Sequence, residues 1–171
     1  HQHHFGPPAD GDGNGSGLWI ASRYPLVEPR FTAFELGRTR YIPWHLDWMA
    51  HKGIALAEVT TPAGPVTLAT LHLQSTYVVG DYGFVQRGQA LQAAAALADA
   101  RGPLILTGDF NAEADAPPVA VVRAQLGLTT AGDDFDIDHI FVRDATVTAH
   151  DQLFVEPVVF ATREAGRTLS D

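Results

Sequence analysis

The sequence predicts a mixed α/β fold in which strands outnumber helices. Apolar segments of strand length recur along the chain, and one clear helical segment, residues 84–100, lies between predicted strands at 66–73 and 104–107. A sheet that combines hairpins with such a crossover contains both antiparallel and parallel pairs. The chain has 171 residues, 46% of them hydrophobic, and we expect residues 1–171 to form a single domain with its own core.

Strands are predicted where β-favouring residues run between turn residues. They cover residues 18–22, 31–36, 54–59, 66–73, 104–107, 137–142, 146–149 and 158–160. The strands 54–59 and 66–73 form a hairpin whose link is the five residues Thr61-Pro62-Ala63-Gly64-Pro65. Irregular loops are predicted for residues 1–17, 37–53 and 74–83.

Two helices are predicted from apolar spacing and from their end signals. The segment 84–100 places apolar residues near a period of about 3.6 residues. These residues are Val85, Ala90, Leu91, Ala94 and Leu97. Gly102-Pro103 ends this helix. A second helix begins at Pro117-Pro118 and ends before Gly127, because proline suits a first turn and glycine a C-terminus.

Composition limits the classes of function. The net charge is −9, with a single lysine, Lys52, and no run of basic residues. Proteins that grip nucleic-acid backbones are usually basic, so nucleic acid is a disfavoured partner, although bound divalent cations can offset the charge of a nuclease. No cysteine is present, which excludes disulfides and thiolate chemistry. No apolar run reaches the ~20 residues of a transmembrane helix. We expect a soluble monomer, with the compartment open and secretion compatible.

Asp109 and Asn111 form the most informative motif. They follow the apolar strand 104–107 and Gly108, so a carboxylate and a carboxamide lie together at one edge of the sheet. The first binds a proton or a cation and the second donates hydrogen bonds to an anion, which suits phosphate chemistry. The alternative is an ordinary Gly-Asp-x-Asn turn. Phe110 favours the functional interpretation, since an aromatic residue would be wasted in a solvated turn.

His72 and Asp138 are two further candidates. His72 closes a strand before a polar loop, where it is either a proton donor beside a phosphate or a structural histidine. Asp138 lies in a strand with Ile140 and Val142 on its face, so its carboxylate needs a donor or a cation and is suited to orienting an imidazole. His139 points to the opposite face, and we interpret it as a packing or surface histidine.

The order of these motifs is more specific than any one of them. The quoted segments are Gly17–Pro25, Lys52-Gly53-Ile54, Leu71-His72-Leu73-Gln74, Gly108–Asn111, Ile137–Phe141 and Ser170-Asp171. Together they resemble the endonuclease/exonuclease/phosphatase superfamily, most closely its neutral sphingomyelinase-like branch. The resemblance implies the DNase I-like fold, a mixed β-sheet sandwich with flanking helices.

The resemblance also implies roles for five residues. His72 matches the family histidine near the leaving group, and Asn111 matches the amide that binds phosphoryl oxygens. Asp109 matches the aspartate that aligns or deprotonates the attacking water and contacts the metal. Asp138 matches the aspartate that orients a second histidine, and Asp171 matches a metal ligand or a residue of the metal's outer shell. The implied ligands are oxygens, so Mg²⁺ is the expected cofactor, with Mn²⁺ or Ca²⁺ as alternatives.

Two family features are absent from the chain. The histidine expected after Asp171 is missing, and the metal-binding glutamate belongs to strands that would precede His1. Glu28 and Glu35 follow the Ser-Arg-x-Pro element, so neither takes that role. We therefore expect the C-terminal portion of such a domain, with an incomplete sandwich and slow turnover by this chain alone.

The expected function is divalent-metal-dependent hydrolysis of a phosphoester. The expected substrate is a lipid or small-molecule phosphodiester, attacked in line by water. The alternatives are a metal-dependent endonuclease or exonuclease and a catalytically silent binding domain.

Overall fold

A computed structural model describes residues 3–8, 15–37, 50–76, 82–132 and 136–151, and the backbone of strands at 158–159 and 168–169. The strands of this part are β1 (His3–Phe5), β2 (Ile20–Ser22), β3 (Leu26–Ala33), β4 (Gly53–Thr61), β5 (Gly64–His72), β6 (Leu104–Asp109), β7 (Thr129–Thr130), β8 (Asp138–Arg143), β9 (Val158–Val159) and β10 (Thr168–Leu169). The helices are α1 (Gly83–Ala96) and α2 (Pro117–Leu126).

A mixed six-stranded sheet is the centre of the fold. Its strand order is β3-β4-β5-β6-β8-β7, and β5 and β6 are parallel while the other pairs are antiparallel. Helix α1 connects the two parallel strands, as a crossover must. The pairs β1–β2 and β9–β10 form separate antiparallel sheets. The predicted mixture of hairpins with one crossover is confirmed.

The core lies between the two helices and one face of this sheet. Leu56, Ala69, Leu106 and Phe141 are register partners on four neighbouring strands, so they form one row on that face. The same cluster contains Ala90, Ala93, Ala94 and Leu97 of the α1 segment and Val119, Val122 and Leu126 of α2. Burial of this apolar surface is the main force that holds the helices on the sheet. Neither of these two helices of the described chain is long and apolar enough to cross a membrane.

Helix α2 has the predicted bounds, and Gly127 after it takes the left-handed conformation with φ of 65°. Helix α1 ends at Ala96, four residues before the predicted end at Ala100, and turns replace its last segment. The predicted apolar face was wrong at Leu91, which is 43% exposed. Gln86 and Gln89 are buried instead.

Three strand predictions were wrong in detail. Strand β3 begins at Leu26 instead of Phe31 and contains a register shift between Val27 and Arg30. The β4–β5 link has two residues instead of five, because Thr61 and Gly64 already pair with each other. No strand occurs at 146–149 within the described residues, where every side chain is exposed.

Candidate active site

Three of the predicted site residues lie in one row across the sheet. His72 at the end of β5 is the register partner of Asp109 at the end of β6, and Asp109 is the partner of Asp138 at the start of β8. Gly53 of β4 continues the row beyond His72. Side chains of register partners project to the same face, which here is opposite the helices because Leu71 points to the core. The topology therefore brings an imidazole and two carboxylates together.

Gly108 makes this arrangement possible. Its φ of +146° is unfavourable for other residues, and a Cβ at this position would lie 2.1 Å from the Leu71 carbonyl oxygen. Only glycine lets the β6 backbone approach β5 this closely immediately before Asp109. Gly53 has a similar role in β4, where a Cβ would lie 2.5 Å from the Phe31 ring.

Asn111 is held beside the row by a compact turn. Its backbone has φ of 48°, and its N–H donates to Asp109 Oδ1 at 2.8 Å. Its side-chain Nδ2 donates to the Leu73 carbonyl at 3.0 Å, and Oδ1 accepts from the Ser75 hydroxyl at 2.9 Å. The Gly-Asp-x-Asn motif is thus a turn, and that turn fixes the orientation of the carboxamide. Phe110 within it is fully buried, as the sequence indicated.

Lys52 is a site residue to which the sequence analysis gave no role, although the segment Lys52-Gly53-Ile54 contributed to the resemblance. The lysine is buried, and its Nζ lies 2.5 Å from His72 Nε2. The same Nε2 lies 3.4 Å from Asp109 Oδ2. The hairpin register could have found this lysine, because Lys52 precedes Gly53, the partner of His72.

The two contacts of His72 require opposite protonation states. Nε2 can accept a hydrogen bond from Lys52 only while it carries no proton, whereas an ion pair with Asp109 requires that proton. The imidazole therefore lies between a cation and an anion at its reactive nitrogen. Any ligand that changes the charge near Asp109 will change which contact is favoured.

Asp138 differs from its prediction in one respect. The sequence placed its carboxylate on the face of Ile140 and Val142 inside a strand, but Asp138 is the first residue of β8 and is exposed. Although the residue is exposed as a whole, the protein around its carboxylate removes part of the hydration and raises the pKa of Asp138 above its ordinary value of 3.8, and the neighbouring Asp109 carboxylate raises the pKa further. Two like charges in one row make a site that favours a bound cation.

Replacement of Asp138 by asparagine is expected to stabilise the metal-free protein more at pH 7 than at pH 4. The folded protein holds the Asp138 proton more tightly than the unfolded chain does, so the free energy of unfolding falls as pH rises above 3.8 through the folded pKa. The asparagine carboxamide cannot ionise, so D138N escapes this loss. Urea denaturation in EDTA at both pH values measures the difference. Asp99→Asn, on a fully exposed side chain, is the control and should show no such trend.

His139 is a packing histidine, which is the first of the two structural roles predicted for it. It is 2% exposed, stacks on Phe141 at 5.4 Å between centroids and meets the edge of Phe110 at 5.3 Å. Its Nε2 lies 2.8 Å from the Ala112 carbonyl. The ring therefore supports the turn of Asp109 and Asn111 from the core side.

The donors in this row suit a hydrated magnesium ion. Mg²⁺ is commonly held by one or two carboxylates and several water molecules, and Asp109 and Asp138 present hard oxygen donors side by side. Within the described ranges, no group of three or more His, Asp or Glu side chains could enclose a metal by itself. Asp171, the other predicted ligand, lies outside those ranges.

Comparison with known proteins gives the family. The profile described as "Endonuclease/Exonuclease/phosphatase family" matches residues 1–171. The chain belongs to this family. The recognition made from the motifs is therefore confirmed.

Two relatives of this endonuclease/exonuclease/phosphatase chain are similar in sequence. An inositol phosphosphingolipids phospholipase C from Schizosaccharomyces pombe is 28% identical over 116 residues, which cover 64% of this chain and 27% of the relative. A putative neutral sphingomyelinase from Drosophila melanogaster is 30% identical over 104 residues, which cover 58% and 24%. The matched regions thus span about a quarter of the length of each relative.

A solved structure supports the fold. The beta toxin double mutant from Staphylococcus aureus with bound magnesium ions matches with a TM-score of 0.58 at 17% identity. The match covers 74% of this chain and 52% of the toxin chain. The mixed sheet with its two helices is the DNase I-like fold that the sequence predicted.

Proposed function

We propose that the protein is a divalent-cation-dependent phosphodiesterase that acts on the phosphodiester of a lipid headgroup. The observation that carries the proposal is the row of His72, Asp109 and Asp138, with Asn111 held beside it and Lys52 behind it. This set combines a proton acceptor, an amide donor and a cationic environment around one edge of the sheet. In-line attack of water on phosphorus needs these three groups.

Each residue has a role in that reaction. Asp109 orients the attacking water and takes its proton as the new P–O bond forms. Asn111 donates from its carboxamide to a non-bridging phosphoryl oxygen. His72 gives a proton to the leaving oxygen as the old P–O bond breaks, and Lys52 adds positive charge beside it. Asp138 orients a second imidazole, which the family pattern places after Asp171.

The proposed cation is Mg²⁺, held by Asp109 together with Asp171. When bound, the ion supplies polarisation of the phosphoryl oxygens and charge stabilisation at the leaving oxygen. Support comes from the Asp109 carboxylate, whose negative charge is reinforced by its register partner Asp138, and from the magnesium ions in the beta toxin structure.

A lipid is favoured over DNA for two reasons. Both curated relatives are named for sphingolipid substrates. The net charge of −9 opposes binding to a polyanion, because each phosphate contact normally needs a basic side chain.

Removal of divalent cations is expected to abolish hydrolysis. The experiment uses the protein as its gene encodes it, with sphingomyelin vesicles, a soluble phosphodiester and duplex DNA as parallel substrates. Each substrate is tested with Mg²⁺ and with EDTA, and product release is measured. We expect turnover of the vesicles in Mg²⁺ and its loss in EDTA.

Three other outcomes contradict the proposal. Faster cleavage of DNA than of lipid would make the protein a nuclease. Absence of turnover on all three substrates would make it a silent binding domain. Full activity in EDTA would show that hydrolysis does not require a divalent cation.

A further inference from the structure

Two glutamines on α1 are buried towards the candidate site. Gln86 is 4% exposed and Gln89 is completely buried. Glutamine on a helix usually faces water, and a buried carboxamide lowers stability unless its donors and acceptor are paired. The hydrogen-bond partners of these two side chains therefore indicate which parts of the protein the buried carboxamides hold in place.

Gln86 joins the two loops that carry the site. Its Nε2 donates to the carbonyl of Gln74 at 2.8 Å and to the carbonyl of Asn111 at 2.8 Å. Gln74 lies two residues after His72, and Asn111 lies two residues after Asp109. One amide group thus spans the ends of the two parallel strands β5 and β6.

Gln89 fixes the first of these loops from a second direction. Its Oε1 accepts from the backbone N–H of Gln74 at 2.7 Å, and its Nε2 donates to the Leu36 carbonyl at 2.7 Å. Gln74 is therefore held through its N–H by Gln89 and through its carbonyl by Gln86. The site loop after His72 is fixed by the helix as well as by the sheet.

We propose that Gln86 is a positioning residue that sets the distance between His72 and the Asn111 carboxamide during phosphoryl transfer. The inference rests on the proposed function. Backbone hydrogen bonds already join Leu73 to Asp109, with N···O of 2.9 Å, but they end before Asn111. The Asn111 carboxamide itself donates to the Leu73 carbonyl at 3.0 Å, and the bridge through Gln86 adds a second connection, which holds the Asn111 main-chain carbonyl to that of Gln74. Loss of the bridge should therefore impair the reaction more than binding.

The test is Gln86→Met, which keeps the length of the side chain and removes both donors. We expect kcat to fall about 100-fold with KM nearly unchanged, because displacement of a reacting group by about 1 Å has an effect of that size. Gln92→Met is the matched control, since Gln92 is on the same helix and accepts a hydrogen bond from the exposed Glu35 backbone N–H. The control should retain the wild-type kcat even where its Tm falls.

A second readout does not depend on turnover. Hydrogen exchange at the backbone amides of Leu73 and Asn111 should become about tenfold faster in Gln86→Met and stay unchanged in Gln92→Met, because the bridge limits local opening. If Gln86→Met does not fold, Gln86→Asn takes its place. Its amide is one methylene shorter and cannot reach both carbonyls, so a lower kcat is again expected.

The outcomes separate the two proposals. A wild-type protein that hydrolyses no phosphodiester contradicts the proposed function, while the exchange measurement still tests the bridge. An active wild type whose kcat and exchange rates do not change in the Gln86 variants contradicts the positioning role and leaves the proposed function in place.

Discussion

Asp109→Asn is expected to lower kcat by a factor of about 10² to 10⁴, the usual contribution of a general base. Asparagine keeps the shape of the side chain, and its Oδ1 can still accept from the Asn111 N–H that now bonds Asp109 at 2.8 Å. The turn therefore survives while the negative charge and the proton acceptor are lost. Initial rates in Mg²⁺, normalised to the folded fraction, measure the effect.

Two comparisons make this result interpretable. Asp99→Asn changes the net charge equally at a fully exposed carboxylate, and it should retain the wild-type rate. In Asp109→Asn, an NMR titration should also show a lower pKa for Asp138, because the Asp109 carboxylate no longer raises that pKa. If Asp109→Asn has the wild-type rate, Asp109 takes no part in the reaction, and this conclusion holds for any value of the Asp138 pKa in the titration.

The position of the site residues at one edge of the sheet could be predicted, because the sequence signals for it lie within single strands and the residues that follow them. The strand 104–107 predicted the start of β6, and the polar residues that follow a buried apolar strand must leave the core at its end. Parallel pairing of two strands joined by a helix then places the residues after each strand at the same edge. His72 and Asp109 follow from this reasoning, and the β6–β8 register adds Asp138.

The buried polar residues could not be predicted in the same way. Gln86 and Gln89 are residue types that favour solvent, so a periodicity argument assigns them to the surface, whereas Lys52 lies in the predicted loop 37–53 and is found only once the strand register is known. Their burial depends on partners that are distant in sequence, such as Leu36 for Gln89 and His72 for Lys52. Leu91 is the opposite case. As an apolar residue at the helical spacing it was predicted to be buried, but on the helix it is exposed to solvent.

Strand predictions failed where pairing overrides propensity. Strand β3 contains Pro29 and a bulge, and Glu28 has a positive φ of 48°. The alternation of apolar and polar residues does not predict such irregular features. The segment 146–149 has strand-favouring Thr and Val, but in the described part of the chain it has no partner strand and its side chains are exposed. A strand gains its stability from its neighbours, so its sequence alone is a weak guide.

Gly108→Ala is expected to destabilise the folded protein by about 3 kcal/mol or more, the range of strained backbone combined with overpacking. The methyl group would lie 2.1 Å from the Leu71 carbonyl oxygen, and the backbone φ is +146°. The steric clash and the backbone strain both disturb the pairing of β5 with β6, which aligns His72 with Asp109. Urea denaturation at neutral pH measures the loss, and a wild-type midpoint would show that the two strands can separate freely at this point.

Gly102→Ala is the comparison variant, because it tests a positive φ without a clash. Gly102 also has a positive φ, of +70°, but no atom lies within 4 Å of the position its Cβ would take. Its replacement therefore introduces only the conformational cost, about 1 kcal/mol. The difference between the two variants therefore contains the clash with Leu71 together with the greater backbone strain at φ of +146°. Because that clash is between two backbone segments, it cannot be relieved by a rotamer change, and the alignment of His72 with Asp109 should be lost together with stability.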